Sequence, residues 1–178
     1  MTVTEPPPIS TVGQILRARK RLHRCGQRLV FTNGCFDILH SGHVSYLTFA
    51  RAQGDALVVA INSDASVRAN KGQRRPINPA EERAGVLLGL RAVDHVMVFE
   101  EEEPIAVLEQ IRPDVLVKGA DWAHYVSGRK VVESYGGEVV LADLVPGRST
   151  SGTIERVLRA YGPTATAGAN GGRTEPRS

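Results

Sequence analysis

Five short runs of apolar, mostly branched residues alternate along this chain with segments of helical spacing, and this alternation constrains the fold more than any other feature. The apolar residues within each run are continuous, which predicts strands buried on both faces of a parallel sheet. The predicted strands are residues 29–32, 56–62, 95–99, 114–118 and 138–142, and the helices between and after them are residues 42–53, 79–90, 104–111, 127–135 and 149–161. The order predicts an α/β fold, an open doubly wound five-stranded parallel sheet with helices on both faces.

Composition supports one folded domain within the 178 residues, because 42% are hydrophobic and 23% are charged. We expect a domain at 9–161, a flexible N-terminus at 1–8, and a disordered tail at 162–178, which lacks apolar periodicity. No apolar run approaches the roughly 18 residues that a membrane span requires, so no membrane partner is expected. Cys25 and Cys35 lack the spacing of a disulfide framework or a metal site, which favours reduced thiols in a cytoplasmic protein.

The net charge of +3 comes from one short stretch, residues 17–28, which holds six Arg and Lys residues and no acid. Val12, Ile15, Leu16 and Leu22 can share one side of a helix there, so the charges are interpreted as a solvated helical face. Binding of a polyanion or a membrane surface is the alternative that is less favoured. We therefore do not expect nucleic acid to be the main partner.

The segment directly after the first predicted strand, residues 32–43, carries the strongest chemical signal. In a Rossmann-like sheet, ligands bind outside the carboxyl ends of the strands, where the next helix offers unpaired N–H groups to an anion. Gly34 and Gly42 allow close approach of a phosphate to the backbone, and His40 and His43 can both donate to its oxygens. A phosphate site is the favoured interpretation. A zinc pair without a third ligand, or two capping histidines without chemistry, are the alternatives.

Residues 32–37 followed by the His40–His43 motif resemble the nucleotidyltransferase superfamily, whose His-x-Gly-His signature binds nucleotide phosphates. Over residues 29–160 the chain is most similar to adenylyltransferase domains that make ADP-heptose. The ordered matches are Asn62-Ser63-Asp64, Lys71-Gly72, Arg75-Pro76, Glu82-Arg83, Val93-Asp94, Leu116-Val117-Lys118-Gly119 with Asp121, Gly136-Gly137, and Arg148-Ser149-Thr150.

The resemblance implies that the substrates are ATP, carrying Mg²⁺, and a sugar 1-phosphate, namely heptose 1-phosphate. The implied products are ADP-heptose and pyrophosphate. In this family the domain is often fused to a sugar kinase, so we expect a separate kinase upstream, and the family suggests a homodimer. The choice among ATP, GTP and CTP stays open.

The resemblance also implies roles for individual residues. Catalytic roles fall on His40, His43 and Lys71. Nucleotide binding falls on Thr32, Asn33, Gly34, Cys35, Phe36, Gly42, Gly119, Asp121, Arg148, Ser149, Thr150 and Ser151, and substrate binding on Asp37, Lys71, Arg75, Arg83 and Lys118. No metal ligands are assigned. Residues 65–80, which contain Lys71, are predicted to be a basic mobile loop over the ligand, and an ion pair with a neighbour is an equal alternative for Arg83.

Two other functions remain open. Related cytidylyltransferases that use glycerol phosphate carry an Arg-Thr-x-Gly-Ile-Ser-Thr-Thr signature near residues 144–151, and the leading arginine is absent here. A cytidylyltransferase acting on a small phosphate ester is therefore the first alternative. A nucleotide- or nucleic-acid-binding module without turnover is the second.

Overall fold

A computed structural model describes residues 8–162. The predictions for residues 1–7 and 163–178 lie outside the described residues. The elements, in chain order, are α1 Val12–Arg24, β1 Leu29–Gly34, α2 Ser41–Arg51, β2 Ala56–Asn62, α3 Asp64–Lys71, α4 Ala80–Leu88, β3 His95–Phe99, α5 Ile105–Ile111, β4 Val115–Gly119, a 3₁₀ turn Ala120–Trp122, α6 Arg129–Ser134, β5 Glu138–Ala142 and α7 Thr150–Tyr161. No helix in this range is both long and apolar enough to cross a membrane.

The five strands form one parallel sheet in the order β3-β2-β1-β4-β5. β1 lies at the centre, with Val30 beside Leu57 of β2 and Val115 of β4. The chain leaves β1 toward β2 and β3 and later returns to β4 on its other side. The doubly wound prediction is confirmed, and the carboxyl ends of β1 and β4 mark the crevice where such sheets bind ligands.

Apolar side chains fill both sides of the sheet. Ile15, Phe31 and Leu108 belong to one buried cluster, under α1, α5 and α6. Leu47 and Leu87 belong to the other, under α2 and α4. The strands are buried because helices cover both faces of the sheet, which explains their continuous apolar sequence.

Two predictions about the elements are wrong. Residues 64–71 form helix α3 rather than a loop, because Ser63 caps the helix by accepting from the Ser66 N–H, and Val67 is fully buried beneath it. The loop is therefore shorter and begins at Gly72. Burial on both faces was predicted for all five strands, but in the edge strand β5 only Ala142 is buried.

Candidate active site

A cavity of about 620 Å³ opens at the carboxyl end of the sheet. It gathers most of the predicted site residues from four separate parts of the chain. These are Asn33, Gly34, Cys35, Phe36, Asp37, His40, Gly42, His43, Lys71, Arg75, Lys118, Gly119, Asp121, Arg148, Ser149, Thr150 and Ser151.

The turn that joins β1 to α2 is shaped by tight packing. Phe36 has a φ of +47° in the left-handed region, which costs backbone energy for a side chain of this size. Its ring lies under Gly34, where a Cβ atom would stand 3.1 Å from Phe36 Cε2. A Cβ on Gly42 would stand 3.0 Å from both Arg148 Cβ and His40 Nδ1. Small residues at 34 and 42 therefore let this turn close against the site.

The two histidines of the turn form a stacked pair whose ring centroids are 3.8 Å apart. The Nδ1 atoms of both rings are buried and have no hydrogen-bond partner among the described residues. Burial, together with the neighbouring His40, lowers the pKa of His43 to about 4. Burial and the charges of Arg148 and Arg156 also lower the pKa of His40. At neutral pH both imidazoles are uncharged in the free protein, and each carries one N–H donor.

Two helix N-termini converge beside this pair. α2 begins after His40, which makes no capping hydrogen bond with its side chain. α7 begins after Ser149, whose hydroxyl accepts from the Gly152 N–H. Thr150 Oγ1 donates to the Ile38 carbonyl at 3.4 Å, which ties the start of α7 to the β1–α2 turn. The first N–H groups of α2 and α7 therefore face the same part of the cavity, a favourable setting for an anion.

Lys118 lies near the carboxyl end of β4 and lines the cavity. It is largely buried, and its Nζ donates to Asn33 Oδ1 at 3.0 Å. The ammonium group also lies 5.6 Å from the centroid of the Trp122 ring. Burial lowers the pKa of Lys118 to about 8, with Asp121, Cys35 and Glu103 acting in the opposite direction. Lys118 is therefore mostly charged at neutral pH.

Asp37 is a structural anchor rather than an open ligand. Its carboxylate is fully buried and accepts hydrogen bonds from Arg75 Nε and from the backbone N–H groups of Ile77 and Asn78. Burial acts to raise the pKa of Asp37, but the bonds from Asn78, Ile77 and Arg75 outweigh it and hold that pKa below its ordinary value. The predicted contact of the Asp37 side chain with substrate does not fit this arrangement, because these groups occupy its oxygens.

Arg83 is likewise a correction to the predicted site. Its side chain is fully buried outside the cavity lining, where Nη2 pairs with Asp64 Oδ1 at 2.8 Å. The guanidinium also donates to the carbonyl oxygens of Asn78, Cys35 and Asn62. Nearly all of its donors are used in this network, so Arg83 joins the turns around the site instead of binding a sugar phosphate.

Thr32 and Cys35 have supporting positions. The Thr32 side chain is buried below the cavity and hydrogen-bonds Tyr46 Oη at 2.6 Å, so it does not line the site. Tyr46 in turn donates to the Val117 carbonyl and so links β1, α2 and β4. Burial raises the pKa of the Cys35 thiol despite the charges of Lys71, Arg83 and Arg75 nearby. A raised pKa does not suit a nucleophile.

Comparison with known proteins agrees with this geometry. A family model described as cytidylyltransferase-like matches residues 31–158. The chain belongs to this family. The resemblance to nucleotidyltransferases is thereby confirmed at the level of the family.

Similar curated members are several times longer than the match. The Bifunctional protein HldE of Geobacter sulfurreducens is 56% identical over 138 residues, which are 77% of this chain and 28% of that protein. The Bifunctional protein HldE of Azotobacter vinelandii is 54% identical over 147 residues, which are 82% of this chain and 31% of that protein. This chain thus spans about three tenths of the relatives that it matches.

Two solved structures share the fold of this family member. A lipopolysaccharide core biosynthesis protein from Thermoplasma volcanium superposes with a TM-score of 0.55 at 27% identity, covering 67% of this chain and 98% of that one. The pantothenate synthetase of Thermus thermophilus superposes with a TM-score of 0.54, covering 77% of this chain and 61% of that one. Its 18% identity supports the fold alone.

Sequence reasoning missed several residues that line the cavity of this family member. Apolar Leu144 and Val145 lie between β5 and α7, and Glu102 and Glu103 lie between β3 and α5. The others are Tyr46, Asn62, Asn70, Pro104, Trp122 and Ser127. Asn62 belongs to the Asn62-Ser63-Asp64 match, and the others lie outside the motifs that the sequence analysis identified. The available signal was a position two to five residues after a predicted strand, which applies to Glu102, Glu103, Pro104, Trp122, Leu144 and Val145.

No group of three or more Cys, His, Asp or Glu residues within residues 8–162 is arranged to hold a metal ion. A metal ion carried on a nucleotide needs fewer protein ligands, since Mg²⁺ is often bound by one or two carboxylates together with phosphates and water. Asp121 lines the cavity at the rim, is exposed, and offers such a carboxylate. The residues present therefore fit a nucleotide-borne Mg²⁺ and do not form a cage for a resident metal.

Proposed function

We propose that this chain transfers the adenylyl group of ATP to heptose 1-phosphate, giving ADP-heptose and pyrophosphate. One observation carries the proposal. The stacked imidazoles of His40 and His43 lie beside the converging N-termini of α2 and α7, and their buried Nδ1 atoms have no partner in the described part of the chain. An unpaired buried polar atom is costly, and a phosphate chain would supply the acceptors these groups lack.

The proposed reaction needs charge stabilisation more than proton transfer. An oxygen of the sugar phosphate attacks the α-phosphorus of ATP, the bond to the β-phosphate oxygen breaks, and pyrophosphate leaves with that electron pair. A phosphate monoester is already ionised near neutral pH, so no general base is required. The work of the site is to align two polyanions and to donate hydrogen bonds to charge that develops in the transition state.

We propose phosphate-binding roles for polar residues around the turn that joins β1 to α2. His43 contacts the α-phosphoryl group, and His40 lies on the side of the β- and γ-phosphates. Arg148 and the first N–H groups of α7 support the same phosphates. Lys71, exposed at the end of α3, and the buried Lys118 supply positive charge to the acceptor phosphate.

We assign the base to the wall near β5. Leu144 and Val145 offer apolar surface there, and Gly119 and Asp121 lie next to it. A Cβ on Gly119 would stand 2.5 Å from Asp121 Oδ1 and 3.2 Å from Leu144 Cδ2, so a larger residue here would displace the Asp121 carboxylate. Such a wall suits a flat nucleobase next to a ribose.

Mg²⁺ would enter with ATP, with Asp121 as the carboxylate that contacts it. When bound, it would offset charge on the triphosphate and on the leaving pyrophosphate. Arg75 contributes mainly by fixing Asp37 and the loop after α3, because its Nε is engaged with that carboxylate.

The names of the relatives bear on the proposal. They describe a bifunctional protein, and this chain spans about three tenths of it. A separate sugar kinase that supplies the sugar 1-phosphate, and a homodimer, are part of the proposal.

The test is a matrix of purified protein, Mg²⁺, each nucleoside triphosphate and a set of phosphate esters, with pyrophosphate release followed over time. The expected result is turnover with ATP and heptose 1-phosphate, with ADP-heptose identified by mass. Turnover restricted to CTP with glycerol phosphate would instead establish the alternative suggested by the family's description. Nucleotide binding without pyrophosphate in any combination would leave only a binding module.

A further inference from the structure

The cavity has a second wall whose chemistry does not suit phosphates. It consists of Glu103, from the segment between β3 and α5, and Trp122 and Ser127, from the segment between β4 and α6. A carboxylate repels a phosphate chain, and the face of an indole ring offers no hydrogen-bond donor to phosphate oxygens. We call these three residues the acidic wall.

Ser127 gives the clearest sign that this wall faces a ligand. The residue is only 9% exposed, and its Oγ has no hydrogen-bond partner within the described part of the chain. A buried hydroxyl left in this state is costly, and such groups are rare in folded proteins. Because Ser127 lines the cavity, a ligand in the cavity is the natural partner for its hydroxyl.

Glu103 and Trp122 complete the wall. Glu103 Oε2 accepts from Tyr125 Oη at 3.3 Å, whereas Oε1 has no partner among residues 8–162. Trp122 is 44% exposed, and one side of its ring lies near the Lys118 ammonium group. The wall thus offers an open carboxylate oxygen, a free hydroxyl and an aromatic surface, with a cation next to it.

This set of groups matches a polyhydroxylated ring that carries a phosphate. Carboxylate oxygens accept hydrogen bonds from hydroxyl groups, a serine hydroxyl donates or accepts, and an aromatic ring packs against the C–H groups of a sugar. Lys118 is positioned to receive the phosphate at the edge of the same wall. The nucleobase has its own apolar surface at Leu144 and Val145.

We infer that the acidic wall is the subsite for the hydroxyl groups of the sugar phosphate, with Glu103 and Ser127 selecting a polyhydroxylated acceptor and Trp122 packing on its ring. The inference rests on the proposed function and adds to it the residues that recognise the acceptor. In this arrangement the acidic wall recognises the acceptor, whereas His40 and His43 bind the phosphates of the nucleotide.

The test compares Glu103→Gln and Ser127→Ala with the wild type in steady-state assays with ATP and heptose 1-phosphate. Glu109→Gln is the matched control, because Glu109 lies on α5, is exposed and does not line the cavity. We expect the KM for heptose 1-phosphate to rise about 10-fold or more for Glu103→Gln and about 3- to 10-fold for Ser127→Ala. The KM for ATP should stay within about 2-fold of the wild type, and the control should match the wild type in both.

Three outcomes overturn the inference, and they are distinguishable. An unchanged KM for the sugar phosphate in both variants removes the subsite while leaving the proposed function intact. An equal rise in the KM for ATP would indicate that the wall contacts the nucleotide or its metal. A wild-type protein that forms no ADP-heptose removes the proposed function, and with it the ligand assigned to this wall.

Discussion

Two polar regions meet at the β1–α2 turn, and they differ in how their hydrogen bonds are used. Around Arg83 and Asp37, buried charges are paired and are met by backbone groups. At His40 and His43, buried nitrogen atoms have no hydrogen-bond partner within residues 8–162. The hydrogen bonds of the first region are satisfied in the free protein, whereas we propose that a ligand satisfies those of the second. Under the proposed function, polar residues a few positions apart hold the fold in one case and bind a substrate in the other.

The largest expected effect comes from removing Arg83, which joins the fully hydrogen-bonded region. Arg83→Leu leaves Asp64 and the carbonyl groups of Cys35, Asn62 and Asn78 without their donor. We expect the free energy of unfolding, measured by urea denaturation, to fall by about 3–5 kcal/mol. The exposed Arg91→Leu is the control and should change it by less than about 0.5 kcal/mol. A loss below about 1 kcal/mol for Arg83→Leu would show that the network does not hold the fold.

A substitution at the stacked histidines should reduce turnover strongly and stability only slightly. His43→Ala removes a donor to the α-phosphoryl group, so kcat should fall about 10²- to 10³-fold, by analogy with the loss of one transition-state donor. Its urea midpoint should move far less than that of Arg83→Leu. His23→Ala, which removes a histidine from the opposite end of the sheet, is the control for kcat. Unchanged turnover in His43→Ala would refute the assigned role.

A smaller effect is expected from the buried Lys118. With a pKa of about 8, Lys118 loses its positive charge as the pH rises from 7.5 to 9.5. The KM for the sugar phosphate should therefore rise about 10-fold over this range, because a charge-assisted hydrogen bond is lost. In Lys118→Arg, whose guanidinium stays charged, the same pH series should give a nearly flat KM. A rise of equal size in both proteins would assign the pH dependence to another group.

An effect of similar size is expected in the dependence of stability on pH. His43 has a pKa of about 4 in the folded protein and 6.5 when unperturbed, so the unfolded chain binds the proton more tightly between these values. The free energy of unfolding should therefore fall as the pH drops from 6.5 to 4. Since His43 is partly exposed, we expect a contribution of about 1–2 kcal/mol. It is measured as the difference between the wild type and His43→Asn in matched urea titrations, and parallel pH curves for the two proteins would contradict it.

The fold was largely predictable because buried parallel strands have a strong sequence signature. The predicted bounds of β2, β3 and β5 agree with the structure. Helix α3 was missed because it is short and polar, with Val67 as its one fully buried apolar side chain, so tertiary packing rather than periodicity determines it.

The site was predictable where a motif fixes the backbone and less so elsewhere. Gly42 and the histidines beside it are near neighbours in sequence, so their spacing alone indicates a shared surface. Arg83 was open to two interpretations, because no sequence pattern tells a buried, fully paired arginine from one that faces a cavity. Glu103 and Ser127 come together only through the packing of two loops, which a single sequence does not encode in any local spacing.

The central claim is that a triphosphate completes the hydrogen bonds of the stacked histidines between the N-termini of α2 and α7. A crystal structure with a non-hydrolysable ATP analogue and Mg²⁺ tests it most directly. The account predicts phosphate oxygens within hydrogen-bond distance of His40, His43 and the first N–H groups of both helices. Phosphates bound elsewhere, with both imidazoles still unpartnered, would contradict it.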